Sequence, residues 1–159
     1  MIGEWLADLE ATALAQALRD SVWTYPLVNA GHILGVALLV GSIVPLDLRL
    51  LGAWRSVPLT PLWRVLTRTA AAGLVLAIAC GSLLFAARAT EYAASGLFVA
   101  KMAIVGAGTV NALVLRTVQH EDLLRARPET PPVRVRLAGG VSLAAWLTAL
   151  TLGRLVGYF

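Results

Sequence analysis

A long stretch without formal charge constrains this chain more than any other feature of its sequence. From Ser21 to Leu46 every residue is uncharged and most are apolar. A hydrocarbon core of ~30 Å is crossed by a helix of about 20 residues, so this run is long enough to span a membrane. Of the 159 residues 58% are hydrophobic and only 14% are charged, against about a quarter charged in soluble domains. The sequence therefore excludes a soluble globular domain and predicts an integral membrane protein.

Three further apolar runs have the same character. They cover residues 69–87, 96–115 and 137–153, and only Lys101 brings a charge into them. Backbone groups cannot stay unpaired in lipid, so each run must be a helix. We therefore predict an all-α, four-helix integral membrane bundle that forms one domain (1–159), with spans at about 23–47, 66–88, 96–117 and 136–157.

The first 20 residues are amphipathic and differ from the spans. Their apolar residues recur at helical spacing while acidic residues occupy the other side. The segment has neither the basic start nor the cleavage site of a signal peptide. We expect residues 2–20 to be retained as an amphipathic helix on the membrane surface.

The positions of the basic residues predict the orientation. Nine Arg residues lie in the segments 48–68 and 116–136, and short cytoplasmic connections are enriched in such residues. We therefore expect a bacterial inner-membrane protein with both termini in the periplasm and the lipid bilayer as its main partner. No nucleic-acid partner is expected, because the basic residues are scattered between apolar runs without an aromatic-interleaved patch.

His32 is the polar residue of most interest within the spans. It lies roughly 10–15 Å below the outer end of the first span, at 1.5 Å per residue. Tyr25 and Asn29 share its helical face, and Gly31 and Gly35 leave room for a close helix or a flat ligand. A neutral imidazole here is either a haem or metal ligand, or a hydrogen-bond partner of a facing helix.

Two sulfur-containing residues are expected at a depth similar to that of His32. Together with an imidazole, the sulfurs of Met102 and Cys80 suit Cu(I), and a Met with a His also suits haem. Each sulfur is equally compatible with ordinary packing in an apolar helix. The second histidine, His120, follows the third span on the opposite side, so one haem bridging both histidines is not expected.

Lys101 is unusual because a charged amine inside a span is costly. It either extends to the outer headgroups or offers its charge to an anionic group such as a haem propionate or a quinone oxygen. Arg88 and Arg154 are expected at a similar height. The candidate cofactor-binding residues are therefore His32, Lys101, Met102, Asn29, Arg88 and Arg154, and the candidate metal ligands are His32, Met102 and Cys80.

At the cytoplasmic end of the first span, Asp47 and Arg49 are expected to be structural. A carboxylate at an interface needs a partner, and we expect Asp47 to pair with Arg68 or Arg116 from the adjacent span ends. Asn111 in the third span is expected to hydrogen-bond to a neighbouring helix.

Catalysis is not expected from this sequence. It contains no Gly-rich phosphate loop, no paired Cys or His motif and no nucleophile with a base at a recognisable spacing. The single cysteine excludes an intrachain disulfide bond.

Two segments carry a resemblance to a known family. YPLVNAGHILGVALLVGSIVPLDLRLLG (25–52) and KMAIVGAGTVNAL (101–113) resemble an uncharacterised bacterial family of four-helix integral membrane proteins, over most of the chain. The matching points are Asn29, His32, Gly35, Asp47, Arg49, Lys101, Met102 and Asn111. The resemblance implies the four-helix fold and no particular activity. More distantly, the His in the first span and the Asp-Leu-Arg exit are similar to the membrane domains of copper-resistance D proteins, which handle copper at the inner membrane.

These features predict a protein that binds haem b or a metal ion through His32, near the outer face, for electron transfer or cofactor handling. One alternative is a structural or accessory subunit of a larger membrane complex without a cofactor of its own. As assemblies, a homo-oligomer and a larger membrane complex both stay open. The other is copper handling or transfer.

Overall fold

The computed structural model describes residues 1–117 and 131–158, and most of these residues are helical. These ranges contain α1 (Ile2–Glu10), α2 (Ala13–Asp20), α3 (Thr24–Leu51), α4 (Leu59–Ala87), α5 (Ala89–Ala94), α6 (Gly96–Thr117) and α7 (Val133–Leu155). The four longest, α3, α4, α6 and α7, are each long and apolar enough to cross a membrane. The predicted all-α, four-helix architecture is confirmed, and His120 lies outside the described residues.

The four long helices form two pairs that meet along one seam. α3 packs on α4, α6 packs on α7, and α3 and α7 join the pairs. In the described ranges α6 forms no packed pair with α3 or α4. The core lies where all four helices approach Trp146 of α7, which is 3% exposed; the other members of this cluster are Leu39, Ile43, Ala70, Leu74 and Val105.

α3 and α4 approach each other until their backbones touch. A Cβ atom added to Gly35 would lie 2.5 Å from the backbone nitrogen of Ala77. A Cβ atom added to Gly73 would lie 2.6 Å from the backbone nitrogen of Leu39. Small residues at such positions let helices in lipid gain close van der Waals contact. No larger side chain fits at either glycine unless the helices separate.

A buried arginine holds the short connection between α3 and α4. α3 ends at Gly52, whose φ of +112° lies in the left-handed region that favours glycine. Arg49 is fully buried, and its guanidinium donates to the carbonyls of Val57 at 2.9 Å and Arg55 at 3.2 Å. α3 continues about one turn beyond its predicted end at residue 47, and α4 begins about two turns before its predicted start at residue 66. We call this the Arg49 end of the bundle (residues 49–58).

The amphipathic N-terminal segment consists of two short helices rather than one. Thr12 begins α2 as its N-cap, with its hydroxyl oxygen accepting from the backbone nitrogen of Ala15 at 3.3 Å. α1 packs against α5, and α2 packs against α3 and α4, where Ala15 and Leu18 are buried. In α1 the large apolar side chains of Ile2 and Trp5 are exposed. We call this the α5 end of the bundle (residues 1–23 and 88–95).

Two charged residues fasten the N-terminal segment to the bundle. Arg19 donates to the carbonyl of Ala87 at 2.9 Å and to that of Glu10 at 2.7 Å. The Glu10 carboxylate accepts from both the backbone nitrogen and the hydroxyl of Thr90, each at 2.7 Å. These bonds, the Thr90 backbone donor first, hold the pKa of Glu10 below its usual value. The segment is therefore docked at the point where α4 ends and α5 begins.

Candidate functional site

His32 lies on α3 where this helix faces α4. Its Nδ1 atom is 2.8 Å from the carbonyl oxygen of Ala77. A carbonyl oxygen only accepts, so Nδ1 carries a hydrogen and donates it. In the neutral ring the lone pair then lies on Nε2, which has no hydrogen bond within the described residues. His32 therefore joins α3 to α4 and still has one nitrogen that can act as a ligand.

Glycines provide the space that this imidazole occupies. A Cβ atom on Gly81 of α4 would lie 3.1 Å from Cε1 and 3.2 Å from Nδ1 of His32. On the other side of the same interface, a Cβ atom on Gly31 would lie 2.8 Å from the sulfur of Cys80. Each helix therefore places one side chain against a glycine of its neighbour. Cys80 is part of this packing, at the same level as His32.

Lys101 of α6 points into the bundle. A Cβ atom on Gly153 of α7 would lie 3.4 Å from Cε and 3.5 Å from Nζ of this lysine. The ammonium group is also close enough to the His32 imidazole to interact with it electrostatically. Its side chain therefore lies against α7, two residues before that helix ends.

Met102 and Asn29 are not directed toward His32 and Lys101. Consecutive residues on a helix are about 100° apart, so the inward direction of Lys101 turns Met102 away. Met102 is 42% exposed. Asn29 is exposed as well. The structure therefore places the His32 imidazole near the Lys101 amine. The Met102 thioether and the Asn29 amide are directed elsewhere.

The two arginines predicted at this height have other partners. Arg88 forms an ion pair with Glu91 at 3.3 Å. The guanidinium carbon of Arg154 lies 4.4 Å from the centre of the Tyr158 ring, and Arg154 also donates to the hydroxyl of that tyrosine. Of the three predicted cations, Lys101 is the one that faces His32.

No cluster of metal-ligating side chains accompanies His32 among the described residues. The part of the chain that the structure describes contains no group of three or more His, Cys, Asp or Glu side chains able to hold a metal ion. A histidine whose N–H bonds to a backbone carbonyl is, however, the usual arrangement of an imidazole ligand. Nε2 of His32 is therefore the atom of this side chain that could coordinate a metal ion or a haem iron.

A ring cluster at the α5 end was not predicted from the sequence. Phe85, Tyr92 and Phe98 stand with their ring centres 5.2–6.3 Å apart and so bridge α4, α5 and α6. Burial, with the Tyr25 hydroxyl next, raises the pKa of Tyr92. Phe98 lies three residues before Lys101 on α6, so the cluster stands about one turn above the lysine. The signal in the sequence is the placement of aromatic residues on both sides of the short segment between the second and third spans.

Near the Arg49 end, Asp47 faces α7. It is 2% exposed, with the Ser142 hydroxyl as its hydrogen-bonding neighbour, and its Oδ2 atom has no partner within the described ranges. The same ranges contain no ion pair between Asp47 and Arg68 or Arg116, which are both exposed. Arg49 holds the α3–α4 connection, as described above.

The predicted interhelical bond of Asn111 is confirmed. Its side-chain nitrogen donates to the carbonyl of Ala138 at 3.0 Å and ties α6 to α7.

No protein-family model, no curated protein and no solved structure matches this chain. Its function is therefore inferred from its own geometry.

Proposed function

We propose that this chain is a multi-pass protein of the bacterial inner membrane that binds haem b, or a metal ion, through Nε2 of His32. The observation that carries this proposal is the bond from Nδ1 of His32 to the Ala77 carbonyl. That bond fixes the orientation of the ring and leaves the basic nitrogen on the other side. When bound, a haem iron would supply a one-electron couple suited to electron transfer or cofactor handling.

Haem is favoured over copper as the group that His32 binds. A soft copper site needs sulfur donors beside the imidazole. Met102 is directed away from His32, and the Cys80 sulfur packs on Gly31. Copper handling stays an alternative through the distant resemblance to copper-resistance D proteins. In that case replacing Met102 or Cys80 would weaken Cu(I) binding, and unchanged binding in both variants would remove the alternative.

The test is the visible absorption spectrum of the detergent-purified protein, oxidised and then reduced. Bound haem b gives a Soret band and sharp reduced bands. We expect His32→Ala to lose them, since it removes the protein ligand. The matched control is His120→Ala, because His120 is the other histidine of the chain. A wild-type spectrum without haem bands, or bands that survive in His32→Ala, would contradict the proposal.

Both termini are proposed to face the periplasm. The support is the cluster of Arg residues in the segments 48–68 and 116–136, at the ends of the spans opposite the N-terminal helices. The α5 end, with His32 and Lys101, would then lie toward the periplasm. A cysteine introduced at Glu129 in a Cys80→Ser background should be labelled only after the membrane is opened to the reagent. Labelling from the periplasm would reverse the orientation.

A second candidate function is that of an accessory subunit in a larger membrane complex. Its support is the exposure of α6, of whose most apolar window only 6% is buried. A helix with so little of its surface buried can contact a partner helix as well as lipid. Extraction in mild detergent should then bring a larger protein along with the chain. Purification of the chain by itself would speak against this candidate.

A further inference from the structure

Among the described residues, Lys101 has no acidic side chain paired with it. Three acidic side chains at the α5 end have other partners: Glu4 pairs with the N-terminus, Glu10 accepts from Thr90, and Glu91 pairs with Arg88. Asp8 and Asp20 also lie at this end, and neither forms an ion pair with Lys101. Within the described ranges, Lys101 forms neither an ion pair nor a hydrogen bond. A charged amine in a span costs several kcal/mol unless something compensates it. An anionic group from outside the chain would compensate this charge.

The helix arrangement leaves one side from which such a partner can approach. α6 packs on α7 and α5 but forms no packed pair with α4 in the part of the chain that the structure describes. Above Lys101 the ring cluster of Phe85, Tyr92 and Phe98 closes the α5 end. Below it the core around Trp146 is filled by apolar side chains. The remaining approach is lateral, between α4 and α6, from the surrounding lipid.

We infer that Lys101 is the binding group of a lateral site for the acidic headgroup of an amphiphile, an anionic phospholipid from the leaflet at the α5 end. Lys101 lies five residues after the start of α6, which is ~7.5 Å below that end. A phospholipid at this depth keeps its acyl chains against the apolar surface of α4 and α6 while its phosphate meets the ammonium. A single-chain carboxylate shares this chemistry. The inference does not depend on a cofactor at His32.

The test is native mass spectrometry of the full-length protein in a neutral detergent. Dioleoyl phosphatidylglycerol, dioleoyl phosphatidylcholine or oleate is added in turn, and the bound fraction is measured. A single Lys or Arg near the membrane surface is worth about 1 kcal/mol of attraction to acidic lipids, or about fivefold in affinity. We expect Lys101→Gln to lower phosphatidylglycerol binding by about this factor and to leave phosphatidylcholine binding unchanged.

Three further variants and the oleate arm make the result specific. Lys101→Arg keeps the charge and should restore binding, which separates the loss of charge from a loss of fold. Arg88→Gln removes a cation at the same end that already has Glu91 as partner, and should bind phosphatidylglycerol like the wild type. His32→Ala should also retain binding, so failure of the haem proposal would leave this result intact. A Lys101-dependent loss of oleate alone would identify a free acid as the occupant, and equal binding of both acidic probes by Lys101→Gln and wild type would overturn the site.

Discussion

At the scale of single residues, helix geometry decides which predicted side chains meet. Sequence position gives the depth of a residue along a span, at 1.5 Å per residue, and correctly brings His32 and Lys101 to one level. It does not give the direction of a side chain around the helix axis. Lys101 and Met102 are neighbours in sequence, yet only the lysine faces the bundle, because the contact of α6 with α7 fixes the rotation of α6.

Partners of buried charges were harder to foresee than partners of neutral groups. Asn111 bonds to α7 as predicted, because an amide in a span has few choices other than a neighbouring backbone. Asp47 faces Ser142, while Arg49 turns back to the carbonyls of its own loop. No sequence pattern indicates that the connection 52–58 would fold over the arginine.

Arg49 supports a residue-scale prediction on stability. We expect Arg49→Lys to lower the free energy of unfolding by roughly 1–3 kcal/mol. The guanidinium has several donors in one plane and reaches both loop carbonyls, whereas the compact lysine ammonium does not. Arg64→Lys on α4 is the control, since that side chain is exposed. Thermal unfolding in detergent measures both variants. Equal midpoints for the two would show that the loop does not depend on the guanidinium.

At the scale of elements, the α3–α4 contact depends on two glycines. We expect Gly35→Val to destabilise the protein by about 1–3 kcal/mol or more, because the added carbons would overlap the backbone of α4. Gly41→Val on the same helix is the matched control, with nothing within 4 Å of the added Cβ. Helical content on heating is the readout. If both valines behaved alike, helix propensity rather than close contact would explain the loss.

Docking of the N-terminal helices should depend on pH. The pKa of Glu10 is lowered from 4.5, so its contribution is complete above that value and is lost as the pH falls through its lower folded value. The protection of the backbone amides of residues 2–20 against hydrogen exchange, taken relative to their intrinsic rate at each pH, should therefore fall on acidification. Glu10→Ala should show the lower protection already at neutral pH. Glu4→Ala, which removes only a contact with the N-terminus, should exchange like the wild type. If the protection of residues 2–20 depended neither on pH nor on the presence of Glu10, this role would be contradicted.

At the scale of the whole molecule, the four-helix architecture followed from the sequence while its internal order did not. Apolar runs predict how many helices cross a membrane, because backbone groups in lipid leave no other solution. They do not predict which helices touch. Gly35 and Gly73 lie where α3 contacts α4, and Gly108 lies against Trp146. The sequence shows that these positions are small, but it does not show which helix each of them contacts.

Trp146 is the side chain on which the whole bundle converges. We expect Trp146→Ala to cost about 3–5 kcal/mol, since it removes a buried indole from the contact of all four long helices. Trp5→Ala is the control, because that indole is 69% exposed. Thermal unfolding in detergent should separate the two variants clearly. A small loss for Trp146→Ala would mean that the helix pairs are held together elsewhere.

The seam between α3 and α7 also has a consequence for biosynthesis. The two helix pairs are consecutive hairpins in the chain, yet the contact that unites them joins the first long helix to the last. A ribosome delivers α3 and α4 to the membrane well before α7 exists. Until then the first hairpin lies in the bilayer with the α7-facing side of α3 in contact with lipid. The protein reaches its final packing only after the last span has been translated.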